Sequence, residues 1–187
     1  MKNRVFIIHG LDGKPQGNWF PWLKTELEKL GVEVIIPAMP NPSKPVLSEW
    51  LKKLNDVIGT PDKQTYFVGH SLGAIAIFRY LATLPQGVKP GGVISVAGFS
   101  ETLGNKTVTS FFEKPLDYHL VKRNVTSIVI IQSDNDPYVP VTYGEMMKNT
   151  LGGKLLTIKS GGHLNTTSGH LQLPVVLDQL KEIMKLP

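Results

Sequence analysis

Short apolar runs alternate along this chain with stretches whose apolar residues recur every three or four positions. The runs at 5–8, 32–36, 65–68, 92–97, 127–132 and 155–159 are rich in β-branched and aromatic residues and too short for helices, so they predict six strands. Between the first two, Trp19, Trp22, Leu23, Leu27 and Leu30 fall on one helical face, and Gly31 marks a stop. A proline-rich stretch at 37–45 leads to a second helix with Leu47, Trp50, Leu51, Leu54 and Ile58 inward. Residues 74–82 are nearly all apolar and read as a buried helix ending before Pro85. Two further helices are expected at 140–151 and 174–185, the last with Pro174 in its first turn, where a missing N–H is harmless. Strands alternating with helices predict a parallel α/β sheet with right-handed crossovers and helices on both faces. Continuous runs such as Ile128, Val129, Ile130 and Ile131 suit strands covered on both sides.

In sheets of this kind, chemistry gathers at the carboxyl ends of the strands. One such end carries G-H-S-L-G at 69–73, between a predicted strand and the buried helix. That context makes G-x-S-x-G a nucleophile elbow, a sharp turn that lifts the Ser71 hydroxyl clear of the sheet. Gly69 and Gly73 leave room for the turn, and the helix behind it aims its positive end at the same point. The alternative is a chance pentapeptide on a loop.

An activated serine needs a histidine base and an acid to orient it, expected downstream in the order acid, then histidine. After the fifth strand come Asp134 and Asp136, both suited to turns; the rigid Pro137, Tyr138, Val139, Pro140 segment favours Asp136 as the orienting acid and Asp134 as a turn former. After the sixth strand, Gly161 and Gly162 free a loop that presents His163, with His170 as its rival. His9, His70 and His119 precede the acid and break the order. Two backbone N–H groups are needed for an oxyanion, one from Leu72, after the serine, and one from the loop after the first strand, assigned to Leu11.

Composition enters mainly by exclusion. The chain has 187 residues, enough for one domain spanning 1–187, and no cysteine, which removes disulfides, thiolate nucleophiles and cysteine zinc sites. The net charge of +5 is scattered, with Lys52-Lys53 and Lys122-Arg123 the longest basic runs, so no nucleic-acid partner is expected. No apolar run is long enough for a bilayer, and 5–8 is too short for a signal-peptide core, which leads to the expectation of a cytoplasmic protein without a membrane partner. The N-x-T triplets at Asn105, Asn124 and Asn165 are read as incidental. There is no H-E-x-x-H, no P-loop and no G-x-G-x-x-G after a strand, and Asp134 with Asp136 would be a poor metal site, so neither cofactor nor metal is expected.

The early His9-Gly10 loop, G-H-S-L-G at 69–73, the S-D-N-D-P stretch at 133–137 and G-H-x-x-N at 162–165 together resemble the α/β-hydrolase superfamily. The similarity is greatest to small bacterial and animal serine hydrolases related to retinoblastoma-binding protein nine, and it covers nearly the whole chain. It implies a three-layer α/β sandwich with strand order 2-1-3-4-5-6, no large lid, and a triad of Ser71, Asp136 and His163. The animal member's L-x-C-x-E motif needs a cysteine that this chain lacks, so no retinoblastoma-type partner is expected. Hydrolysis of a small-molecule carboxylic ester through an acyl-enzyme is the leading expectation. A thioesterase or peptidase with the same triad and a non-catalytic binding protein that kept the fold are its rivals. The segment 98–126, where larger hydrolases insert a lid, is short; Phe111 and Phe112 within it are substrate-wall candidates unless they simply cover the core. A shallow site and a preference for short acyl chains follow from that reading.

Overall fold

A computed structural model describes residues 2–187 and joins the apolar runs in one sheet. Its strands are β1 (Arg4–Ile8), β2 (Glu33–Ile35), β3 (Thr65–His70), β4 (Gly92–Val96), β5 (Ser127–Ser133) and β6 (Lys154–Ile158). Every neighbouring pair is parallel, in the order β2-β1-β3-β4-β5-β6, as expected. The difference of most consequence is at β3. Its ladder with β4 continues to His70 opposite Val96, so the strand delivers Ser71 directly at its carboxyl end.

The helices are α1 (Phe20–Lys29), α2 (Leu47–Ile58), α3 (Leu72–Thr83), α4 (Tyr118–Arg123), α5 (Thr142–Leu151) and α6 (Pro174–Met184). One face of the sheet is covered by α1 and α6, through Leu23, Leu27, Val176 and Leu180. The other is covered by α2, α3, α4 and α5, through Trp50, Leu54, Ile75, Phe78, Val121 and Met147. Burial on both sides is why the four inner strands β1, β3, β4 and β5 read as unbroken apolar runs rather than alternating ones; the edge strands β2 and β6 are partly exposed. Trp22, expected on the inward face of α1, is only half-buried, and Phe20 takes its place in the core. Gly31 ends α1 with φ +78°, a conformation that costs glycine little.

The periodicity did not predict α4 or the 3-10 turn at Lys106–Phe111. Each has only six residues, and each starts from a local cap: the Asp117 carboxylate accepts from Leu120 N at 3.0 Å, and the Asn105 side-chain oxygen from Thr107 N at 2.9 Å. Six residues are too few for a 3.6-residue period to show itself. This segment is strapped to α3 by Arg79, whose guanidinium donates to the carbonyl oxygens of Phe111 at 2.9 Å, Pro115 at 3.0 Å and Lys114. Among the described residues no helix is long and apolar enough to cross a membrane.

Candidate active site

Ser71 sits at the junction of β3 and α3 with φ 53° and ψ −121°. A non-glycine residue there carries on the order of 1–3 kcal/mol of strain, held only where the surroundings over-determine it. Here its N–H donates to Val96 O at 2.9 Å and its carbonyl accepts from Ala74 N at 3.0 Å. The flanking glycines are close approaches of backbone to backbone. A Cβ on Gly69 would come 2.6 Å from Ala74 N, and one on Gly73 would press on the carbonyl oxygens of Ile8 and His9. The Ser71 hydroxyl does not cap α3, although it stands at the capping position; it lines a cavity instead. Other strained residues lie in the neighbouring strand-end loops, at Asp12, Ala97, Ser160 and Leu164, all with positive φ.

The loop after β6 brings His163 to the same cavity. Its Nδ1 lies 2.7 Å from Asp136 Oδ2, and the Asp136 side chain is fully buried. The second carboxylate oxygen of Asp136 accepts from Tyr138 N at 2.8 Å and Val139 N at 3.0 Å. Three donors therefore surround this carboxylate and fix its orientation. Asp134 does something else: its Oδ1 accepts from Ser160 N at 2.7 Å and ties the loop after β5 to the one after β6. His170 Nε2 bonds the Gly161 carbonyl at 2.8 Å, bracing the loop that carries His163. The structure thus joins His163 with Asp136 and puts Asp134 and His170 in loop-holding positions.

Leu11 and Leu72 both line the cavity, and among the described residues neither backbone N–H donates to another protein group. The Leu11 loop is shaped by His9, which is buried. Its Nδ1 bonds Gly10 O at 2.9 Å, and its Nε2 accepts from Met39 N at 3.1 Å. An imidazole that donates at one nitrogen and accepts at the other must be neutral, and burial lowers the His9 pKa accordingly.

His70 holds the histidine loop from behind. Its Nε2 donates to the His163 carbonyl at 3.0 Å, and its ring meets the His163 ring edge-on at 4.9 Å. The next carbonyl, of Leu164, accepts from Trp19 Nε1 at 2.9 Å. Burial first, then the nearby His163, lowers the His70 pKa to about 3. Both His9 and His70 are thus neutral when folded, with pKa values below the ordinary 6.5. The unfolded chain binds the extra protons as pH falls. The stabilisation is therefore complete above pH 6.5 and is lost progressively below it, towards about pH 3 for His70. Between pH 6.5 and 5, each histidine is expected to remove at most about 1.4 kcal/mol per pH unit. Urea unfolding at stepped pH reads this directly, and His70→Phe should flatten the slope; an unchanged slope in that variant would show that His70 is not a source of it.

The cavity has a volume of about 350 Å³. Beyond Ser71, its apolar wall is built by Phe99, Leu103, Val108 and Val139, with Tyr138 exposed at the rim. Phe111 and Phe112 do not line it. Phe111 is fully buried, edge-on to Trp50 with ring centroids 5.4 Å apart, where it closes the core between α2 and the 3-10 turn. Phe112 stacks on the far side of Phe99. Phe111 and Phe112, expected as a substrate wall, thus lie off this cavity, whose apolar wall is formed by Phe99 and its neighbours. Apolar composition alone does not say which of several close aromatics faces inward; the position of Phe99 just past the end of β4 is the one signal that could have found it. His9, His70 and Trp19 were likewise not singled out as loop supports, because their partners are backbone carbonyls and amides distant in sequence. A separate surface cavity of about 350 Å³ lies by the opening residues of β5 and β6, beside Lys122 and Glu182, away from the strand ends that carry Ser71 and His163.

A six-stranded parallel sheet with a serine elbow at the end of its third strand is the architecture of an α/β hydrolase. The chain belongs to the serine hydrolase family, whose model matches residues 5–182. It is 34% identical over 181 residues to the protein YdeN of Bacillus subtilis (strain 168), across 96% of this chain and 95% of that one. The crystal structure of that ydeN gene product superposes with a TM-score of 0.94 at 33% identity, covering 98% of this chain and 100% of the other. Serine hydrolase RBBP9 of Rattus norvegicus is 28% identical over 165 residues, covering 87% and 86% of the two chains.

Proposed function

We propose that this serine hydrolase cleaves short-acyl carboxylic esters through Ser71, His163 and Asp136. The observation that carries the proposal is the 2.7 Å bond from Asp136 to His163 Nδ1, beside the cavity that Ser71 and the unpartnered N–H groups of Leu11 and Leu72 also line. Ser71 Oγ attacks the acyl carbon while His163 Nε2 takes its proton. The carbonyl π electrons move onto oxygen, and the oxyanion is held by the two amides. Asp136 keeps the proton on Nδ1 of the neutral ring and stabilises the imidazolium. Collapse of the intermediate breaks the C–O bond, and the proton on Nε2 passes to the leaving alkoxide. Water, activated by the same nitrogen, then frees the acid and restores Ser71.

A cavity of about 350 Å³ is near the lower bound for ligand pockets, which suits a small acyl group. The test is a matched butanoyl series: a p-nitrophenyl ester, an alkyl thioester and an anilide. The ester should give the highest kcat/KM. Preferential cleavage of the anilide would move the assignment to a peptidase, and absence of any turnover despite a labelled Ser71 would overturn it.

A further inference from the structure

Behind the apolar wall of the active-site cavity lies a second cavity of about 290 Å³, lined by Phe112, Pro115, Leu116 and Tyr118, with Arg79 and Glu101 among its polar residues. The two are separated by one thin partition. Phe99 lines the first cavity and Phe112 the second, and their rings stack with centroids 5.8 Å apart and planes 22° from parallel. The backbone between them belongs to the same partition: Leu103 faces the first cavity, while Ser100, Glu101 and Thr102 face the second.

We propose that the stacked Phe99–Phe112 pair sets the length of acyl chain this site accepts, and that the cavity behind it takes the distal methylenes once the pair is parted. This rests on the ester-hydrolase reading above and names the part of the acyl group that the site selects on. The partition ends on rings and not on a swinging loop, because its backbone is held on both sides. Gln132 Nε2 donates to Gly98 O at 2.9 Å, immediately before Phe99. Arg79 holds the carbonyls of Phe111, Lys114 and Pro115 around Phe112. Ser100 Oγ lies 3.1 Å from Tyr118 OH across the second cavity. With that frame fixed, the two aromatic rings are what stands between one cavity and the other.

The chemistry of the second cavity favours a hydrocarbon chain over an anion. Its cations are Arg79 and Lys114, but three N–H groups of Arg79 already donate to carbonyl oxygens, Lys114 is exposed to solvent, and Glu101 adds an opposing charge. Three of its side chains, Phe112, Pro115 and Leu116, carry no polar atom.

The experiment is the ratio of kcat/KM for p-nitrophenyl decanoate to that for the butanoate, in the wild type, Phe112→Ala, Phe99→Leu and the double variant Phe99→Ala/Phe112→Ala. Each methylene that gains a buried place contributes up to about fourfold, the rate equivalent of about 0.8 kcal/mol. The wild-type ratio should lie below one. Phe112→Ala, which truncates a half-buried side chain, should raise it by about tenfold, and the double variant by more. Decanoate binding to Ser71→Ala, measured by calorimetry with and without Phe112→Ala, reads the same gain without chemistry. Tighter decanoate binding with no ester turnover in any variant would uphold the partition and sink the esterase reading. Butanoate turnover with an unaltered chain-length ratio and unaltered decanoate binding in Phe112→Ala and Phe99→Leu overturns the partition while the esterase reading stands.

Discussion

Ser71→Ala is expected to lower kcat for p-nitrophenyl butanoate by on the order of 10⁶ and to abolish labelling by a fluorophosphonate probe, since removal of the serine alone disables a triad of this kind. The residue is isolated enough for the result to be clean. Its hydroxyl makes no cap to α3, so truncation removes no helix-stabilising bond. Its backbone strain is held by hydrogen bonds to Val96 and Ala74, which alanine keeps. The variant should therefore fold, with an unfolding midpoint close to the parent's. Residual rate should come only from the Leu11 and Leu72 amides and from binding, which act without the nucleophile. A probe adduct mapped by mass to any other residue, or labelling that survives in Ser71→Ala, contradicts the assignment.

Asp136→Asn should lower kcat by on the order of 10⁴, because it reverses the tautomer of His163. The hydrogen bonds around the carboxylate say why. Oδ1 accepts from two backbone amides, those of Tyr138 and Val139. An asparagine must keep its oxygen there, since its NH₂ group would face two donors. That turns the NH₂ towards His163 Nδ1, which must then accept. The remaining ring proton moves to Nε2, where the base needs a lone pair for Ser71. Asp134→Asn has no such consequence: the Asp134 oxygen accepts from Ser160 N, and an amide oxygen does the same. Its effect should stay within about tenfold, the scale of losing one charge-assisted bond. Steady-state kinetics on both variants decides the matter, and a larger loss in Asp134→Asn would reverse the roles of the two carboxylates.

The four inner strands were legible because burial on both faces demands unbroken apolar runs, and the partly exposed edge strands β2 and β6 because their short β-branched and aliphatic runs stand between helices. The elbow was legible because backbone contact at Gly69 and Gly73 excludes any side chain, which makes the glycine spacing a direct imprint of geometry. The 98–126 segment was not. Its α4 and its 3-10 turn are each one or two turns long and start from local caps, so no period accumulates. Its phenylalanines are alike in apolarity, which does not distinguish Phe111 in the core from Phe99 on the cavity wall.

What this sequence determined by itself is the order of its six strands and five longer helices, the strand end that presents Ser71, and the short set of side chains available to act with it. Those follow from local preferences and from burial, which read as pattern. The sequence favoured Asp136 over Asp134, but the backbone partners that fix each carboxylate, the histidines that brace the loops and the ring that closes the cavity were decided only by the tertiary structure. Asp134 and Asp136 are two residues apart in one turn, and a single turn sends one to Ser160 N and the other to His163 Nδ1. His70 and Trp19 reach carbonyls 93 and 145 residues away. Contacts of that kind depend on where whole strands and helices come to rest against one another, and no local pattern in the chain encodes them.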